Sequence, residues 1–167
     1  MKVLFLDNDG VVCLMSQFGG RVKKIKKWKM FNDGVPPASV KMDNFDQKAV
    51  KVLNEVLEKT GAEIVVSSDW KLYCGLDELK QMFTDYGVIK QPIDCTPNHV
   101  LTAVDKNADV RVAEIKEWLE NHPQVTNWVA VDDLDLSKLE NFVHTKKMSE
   151  GIKQNGIKDK LINILNK

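Results

Sequence analysis

The sequence is poor in three things: cysteine, excess charge of either sign, and long apolar runs. Cysteine occurs only at positions 13, 74 and 95, an odd number at irregular spacing. That pattern fits neither a disulfide framework nor a metal knuckle. It is expected of reduced thiols in a cytosol, packed as small apolar side chains. Lysine plus arginine and aspartate plus glutamate each number 24, so the formal charge is zero. No global field therefore draws the chain to nucleic acid or to an anionic membrane, although a local basic groove is compatible with the balance. No apolar stretch approaches a bilayer span, and the run from Met1 to Leu6, ended by Asp7, is too short for a signal peptide. The expectation is a cytoplasmic chain with no membrane association and no implied protein partner.

What is present is ordinary in bulk: 43% hydrophobic and 29% charged residues over 167 positions. That length suits one domain, residues 1–167, with a real core. Three apolar stretches stop abruptly at polar residues: Lys2–Leu6 at Asp7, Glu63–Val66 at Ser67 and Ser68, and Asn127–Val131 at Asp132 and Asp133. Each reads as a buried strand whose carboxyl end carries function. Helical spacing recurs after Asp46 up to Gly61, over Leu76 to Tyr86, over Arg111 to Leu119 and over Ile157 to Leu165. Val88 and Ile89 are expected to begin a short strand, Pro92 to Pro97 to form a turn-rich connection, and Phe142 to His144 to add a fourth strand.

Alternating strands and helices predict an α/β fold with a mostly parallel sheet between two layers of helices. Sites in such sheets form at the carboxyl ends of the strands, so the three polar sets are expected at one edge. Residues 14 to 44 stand apart, with a basic cluster from Arg21 to Lys29 and then Asp33-Gly34-Val35-Pro36-Pro37. They are too many for a plain connection and read as a small cap inserted after the first strand. The cluster is either a solvated helix face or a surface that selects substrates by charge.

Asp9 follows Asp7 by two residues, and the four carboxylates of Asp7, Asp9, Asp132 and Asp133 at one edge repel one another unless a cation sits among them. Magnesium suits a few carboxylates that leave room for water and a phosphate oxygen. One aspartate is then placed to attack phosphorus. A second, two residues on and on the same side of the extended chain, is placed to protonate the leaving oxygen and then activate water. Ser67 or Ser68 offers a hydroxyl to the phosphoryl oxygens, or caps the next segment. Trp70 and Trp118 read as core residues by default, with stacking of Trp70 on a base as the alternative. His144 reads as structural.

Leu4-Phe5-Leu6-Asp7-Asn8-Asp9-Gly10-Val11-Val12, Ile64-Val65-Val66-Ser67-Ser68 and Val129-Ala130-Val131-Asp132-Asp133 resemble the first, second and fourth motifs of the haloacid dehalogenase (HAD) superfamily. The third motif is a lone basic residue at a helix start. Arg111 fits it best and Lys106 is its rival. Ser67-Ser68-Asp69-Trp70-Lys71 and Arg111-x-x-Glu114-Ile115-x-x-Trp118-Leu119-x-x-His122-Pro123 narrow the likeness. They resemble a small subfamily found alone in phages and bacteria or fused to RNA-repair enzymes.

The resemblance implies a Rossmann-like, HAD-like three-layer sandwich and a magnesium-dependent phosphatase. Asp7 is then nucleophile and metal ligand, and Asp9 general acid/base with its carbonyl on the metal. Ser67 binds phosphate and Arg111 stabilises the transferring group. Asp133 completes the ligands with Asp132 in support. Asn8, Ser68, Trp70 and Lys71 border the expected phosphate pocket as candidate substrate contacts. Asp69 stands where the subfamily usually has a small polar residue, and Lys71 replaces its frequent arginine. The basic cap and the RNA-repair association point to a nucleotide or a nucleic-acid end phosphate, or another phosphorylated small molecule. The alternatives are a catalytically silent phosphate-binding module and a phosphotransferase.

Overall fold

The computed structural model describes residues 1–100 and 107–167. Five strands, β1 (Lys2–Leu6), β2 (Glu63–Val66), β3 (Pro92–Cys95), β4 (Asn127–Asp132) and β5 (Phe142–His144), form one sheet in the order β3-β2-β1-β4-β5. Every pairing is parallel. The central strand β1 is buried from Val3 to Leu6, as a parallel strand covered on both faces must be. Its side chains alternate between two cores. Leu4 and Leu6 join Ile64, Val66, Val129 and Val131 on one face, and Val3 and Phe5 join Val65 and Ala130 on the other.

The first face is covered by α3 (Gln47–Thr60), α4 (Leu76–Asp85) and α6 (Ile157–Leu165). The second is covered by α5 (Asn107–Glu120), through Val112, Ile115 and Trp118. The result is the three-layer, Rossmann-like arrangement that strand–helix alternation predicts. Helix α3 starts where the sequence signals a start: the Asp46 carboxylate accepts from Ala49 N at 2.8 Å. Among the described residues no helix is long and apolar enough to cross a membrane.

Two expectations need correction. The strand expected at Val88 and Ile89 lies instead at Pro92–Cys95, inside the stretch expected to be a turn-rich connection, and pairs with β2. Pro92 opens this edge strand, a position where its missing N–H costs no ladder bond, so a turn signal and a strand start coincide. Arg111 is the fifth residue of α5 rather than a residue at a helix start. The rival candidate Lys106 lies outside the described residues.

The inserted segment contains α1 (Gly20–Lys29) and α2 (Ala38–Lys41). Helix α1 buries none of its residues. Two contacts tie it down. The Asp43 carboxylate accepts from Gly19 N at 3.0 Å and Arg21 N at 2.6 Å, satisfying donors that a helix start leaves free. Lys24 Nζ donates to the carbonyls of Ser39 and Met42 and to Asn44 Oδ1, at 2.6 to 2.7 Å.

Candidate active site

Sheet register builds the site. Leu6 is level with Val66 on β2 and Val131 on β4, so the next residues, Asp7, Ser67 and Asp132, arrive side by side. The ladders continue one step past the strands, with Asp7 N donating to Val131 O at 3.1 Å and Ser67 N to Leu6 O at 2.9 Å. Beyond Asp7 the chain turns tightly: the Asn8 carbonyl accepts from Val12 N at 3.0 Å and Cys13 N at 2.8 Å. Gly10 lies in this turn with φ +69°, and a Cβ there would stand 2.7 Å from the Cβ and Oδ2 of Asp133. Only glycine lets the loops after β1 and β4 come this close.

Asp7, Asp132 and Asp133 each offer a carboxylate oxygen within 4.8 Å of the others. Burial pushes the Asp7 carboxyl well up, with the charges of Asp132 and Asp133 adding to it against the pull of Arg111. Burial likewise pushes Asp132 up to about 7. Burial and then the charge of Asp9 raise Asp133. A cluster held at such cost invites a cation.

The Arg111 side chain, 6% exposed, is the cation already there. Its Nη1 donates to Asp132 Oδ2 at 3.0 Å, to Asp7 Oδ1 at 3.3 Å and to the Ser67 carbonyl. Its Nη2 donates to Asp69 Oδ1 at 2.6 Å, and Nε lies 3.9 Å from Glu114 Oε2. Burial opposes its charge, but Asp7, Asp132, Asp69 and Glu114 together raise its pKa further.

One guanidinium does not satisfy the site. Among the described residues the Ser67 and Ser68 hydroxyls and both side-chain polar atoms of Asn8 are buried without a hydrogen-bond partner. Buried polar atoms are nearly always paired, so this group is set up for oxygens that the protein does not supply. The all-oxygen donor set of Asp7, Asp132 and Asp133 suits a hard divalent cation. The site therefore fits both a magnesium ion and a phosphate.

Asp9 is placed differently. Its carboxylate does not join the close carboxylate group but accepts from Trp70 Nε1 at 2.8 Å. Burial raises its pKa, against the donation from Trp70. Beside it lies a cavity of about 280 Å³ lined by Asp9, Phe18, Gly19, Arg21, Asp43, Trp70 and Met148. The inserted segment thus supplies four of its seven lining residues.

Two candidate substrate contacts have partners within the protein. Lys71 holds its ammonium in internal contacts. It donates to Thr96 Oγ1 (2.8 Å), the Pro97 carbonyl (2.7 Å) and Glu114 Oε2 (2.6 Å), which uses all three donors. Trp70 is 2% exposed, and its ring stacks on Phe45 at 5.6 Å and 26°. Asn8 and Ser68 are fully or almost fully buried, with the unpartnered atoms described above. His144 Nε2 donates to the Asp133 carbonyl at 2.9 Å, a supporting contact. Cys13 and Cys74 are buried, Cys95 only partly, and all three are free.

Sequence reasoning passed over Asp43, which carries no local signal. It also gave Glu114 no role, although its spacing of three from Arg111 puts the two on one helix face.

No curated protein and no solved structure matches the chain. A family model does: residues 3–156 match the HAD domain in Swiss Army Knife RNA repair proteins. The chain belongs to this family and is a HAD-like domain.

Proposed function

We propose that the protein is a magnesium-dependent phosphatase acting in the cytosol on a phosphate monoester, on a nucleotide or a nucleic-acid end. The observation that carries this reading is the three close carboxylates of Asp7, Asp132 and Asp133 beside the unpartnered hydroxyls of Ser67 and Ser68. Asp7, Asp133 and the Asp9 carbonyl, with Asp132 in support, would hold a magnesium ion, which would supply charge neutralisation for the carboxylates and the phosphate.

Ser67 or Ser68 donates to a phosphoryl oxygen, and Arg111 balances charge on the transferring group. An Asp7 carboxylate oxygen attacks phosphorus. The bond to the leaving oxygen breaks, and Asp9 gives that oxygen its proton. Water then attacks the aspartyl-phosphate, Asp9 takes the water's proton, and Asp7 is regenerated as phosphate departs. Asp9 favours an enzyme over a silent binding module, because binding alone needs no acid beside the leaving group.

The substrate class is supported by the cap. Arg21, Lys23, Lys26, Lys27 and Lys29 lie exposed on α1, which has no acidic residue, and the cavity beside Asp9 opens at the start of this helix. The matched family is described by its place in RNA repair proteins.

The test is phosphate release from nucleotides, 3′- and 5′-phosphorylated oligonucleotides and sugar phosphates, with magnesium and with a chelator. Release is expected with magnesium only, falling by roughly 10⁴-fold or more in Asp7→Asn. Release that survives Asp7→Asn overturns the nucleophile. Tight nucleotide binding without turnover establishes the silent module, and transfer to an added alcohol in preference to water establishes the phosphotransferase.

A further inference from the structure

A general acid works only if its proton is presented at one oxygen in one place. The close carboxylate group does not hold the Asp9 carboxylate. Trp70 does, with Nε1 donating to Asp9 Oδ2 at 2.8 Å. The indole sits in a short 3-10 turn, Asp69–Leu72, directly after Ser67 and Ser68. One strand end therefore brings a hydroxyl to the phosphate pocket and an N–H to Asp9.

The indole is itself clamped. Phe45 stacks on it, and Phe45 packs in turn against Phe83 (5.1 Å, 87°) and Tyr86 (4.9 Å, 32°). Trp70 is 2% exposed, and this aromatic stack holds its ring beside Asp9.

We infer that Trp70 is a positioning residue that fixes which oxygen of Asp9 carries the catalytic proton. An indole N–H donates and cannot accept. With Oδ2 occupied as its acceptor, a proton on Asp9 resides on Oδ1, and Oδ1 hands it to the leaving oxygen as the phosphorus–oxygen bond breaks. The inference rests on the reading of Asp9 as general acid. It adds that this acid works only while the indole N–H holds it.

The test uses kcat/KM, which reports the first, proton-requiring step, for an alkyl phosphate and for p-nitrophenyl phosphate, whose leaving group departs without a proton. Wild type, Asp9→Asn, Trp70→Phe and the double variant are compared with magnesium present. Asp9→Asn alone checks the reading of Asp9, and equal losses on both esters there overturn that reading whatever Trp70→Phe does. Trp70→Phe is expected to lower kcat/KM for the alkyl ester by roughly 10- to 100-fold, part of the range general acids supply. The expected loss for the nitrophenyl ester is several-fold smaller, and Trp70→Phe is expected to add nothing to Asp9→Asn. Equal losses on both esters in Trp70→Phe, or a loss that multiplies that of Asp9→Asn, overturn the inference.

Should Trp70→Phe not fold, ¹⁵N-indole resonances of wild type and Asp9→Ala decide. One of the four tryptophan signals is expected to lose a downfield, hydrogen-bonded shift. Four unmoved signals overturn the contact.

Discussion

At the strand ends Asp7, Ser67, Ser68 and Asp132, with Arg111 reaching in from α5, are each 6% exposed or less. In the cap, α1 runs ten residues and buries none. Both regions are crowded with charge, but on different terms. The strand-end charges are desolvated, so each depends on a partner at fixed distance, and moving one strands another. The α1 charges are mostly solvated and screened, and changing them costs the fold little. The proposed chemistry therefore sits where the fold tolerates little drift, and the proposed substrate selection where it tolerates much.

The largest effect on stability should come from a cation beside the strand ends whose three donors are all used within the protein. Lys71 and Glu114 pair at 2.6 Å with side chains 4% and 6% exposed. Lys71→Met leaves Glu114 buried beside Arg111 without its closest partner, and should lower unfolding free energy in urea by about 3 kcal/mol. KM for a small phosphate ester should hold in the folded fraction. A raised KM with unchanged stability would return Lys71 to the substrate site.

The next effect is on pH dependence. In the metal-free protein burial pushes Asp132 up to about 7 from 3.8, and Asp7 is raised as well. Across that window the folded chain keeps protons that the unfolded chain has lost, so stability falls as pH rises from about 4 to about 7. Melting in a chelator should drop by several degrees over this range, and saturating magnesium should flatten or reverse the slope. A chelated protein that gains stability towards pH 7 would show that these carboxylates are not held at a desolvation cost.

Two smaller effects separate one cap lysine from its neighbours. Lys24→Met removes bonds to two carbonyls and an amide and should cost about 1 kcal/mol, read as earlier proteolysis within the cap. The triple change Lys23, Lys26 and Lys27→Glu should leave stability within about 0.5 kcal/mol. It should lower kcat/KM for a phosphorylated oligonucleotide by about tenfold at low salt, more than for a small ester, with the difference shrinking as salt rises. Equal effects on both substrates would remove the case for nucleic acid.

How much of this was legible in the sequence follows the same division. Apolar runs ending in carboxylates placed β1 and β4, and the periodicity of Ile157, Leu161 and Leu165 placed α6, because burial writes itself into residue type. The meeting of Asp7, Ser67 and Asp132 at one edge followed from topology alone. Contacts between residues far apart in sequence did not. Trp70 and Asp9 are 61 positions apart, and Lys71 and Glu114 are 43 apart. Spacing along the chain carries no sign of such pairings, so Lys71 read as a substrate contact. Edge strand β3 hid because its proline is also a turn residue.

Gly10 is better understood as a gauge than as a turn residue. A left-handed turn accepts alanine at a cost of order 1 kcal/mol, which a stable fold survives. Here the added methyl would meet the Cβ and Oδ2 of Asp133 at 2.7 Å. Position 10 thus gauges the gap between the two loops. A survey of substitutions there should find the carboxylate cluster forced open, with activity and several degrees of melting temperature lost together.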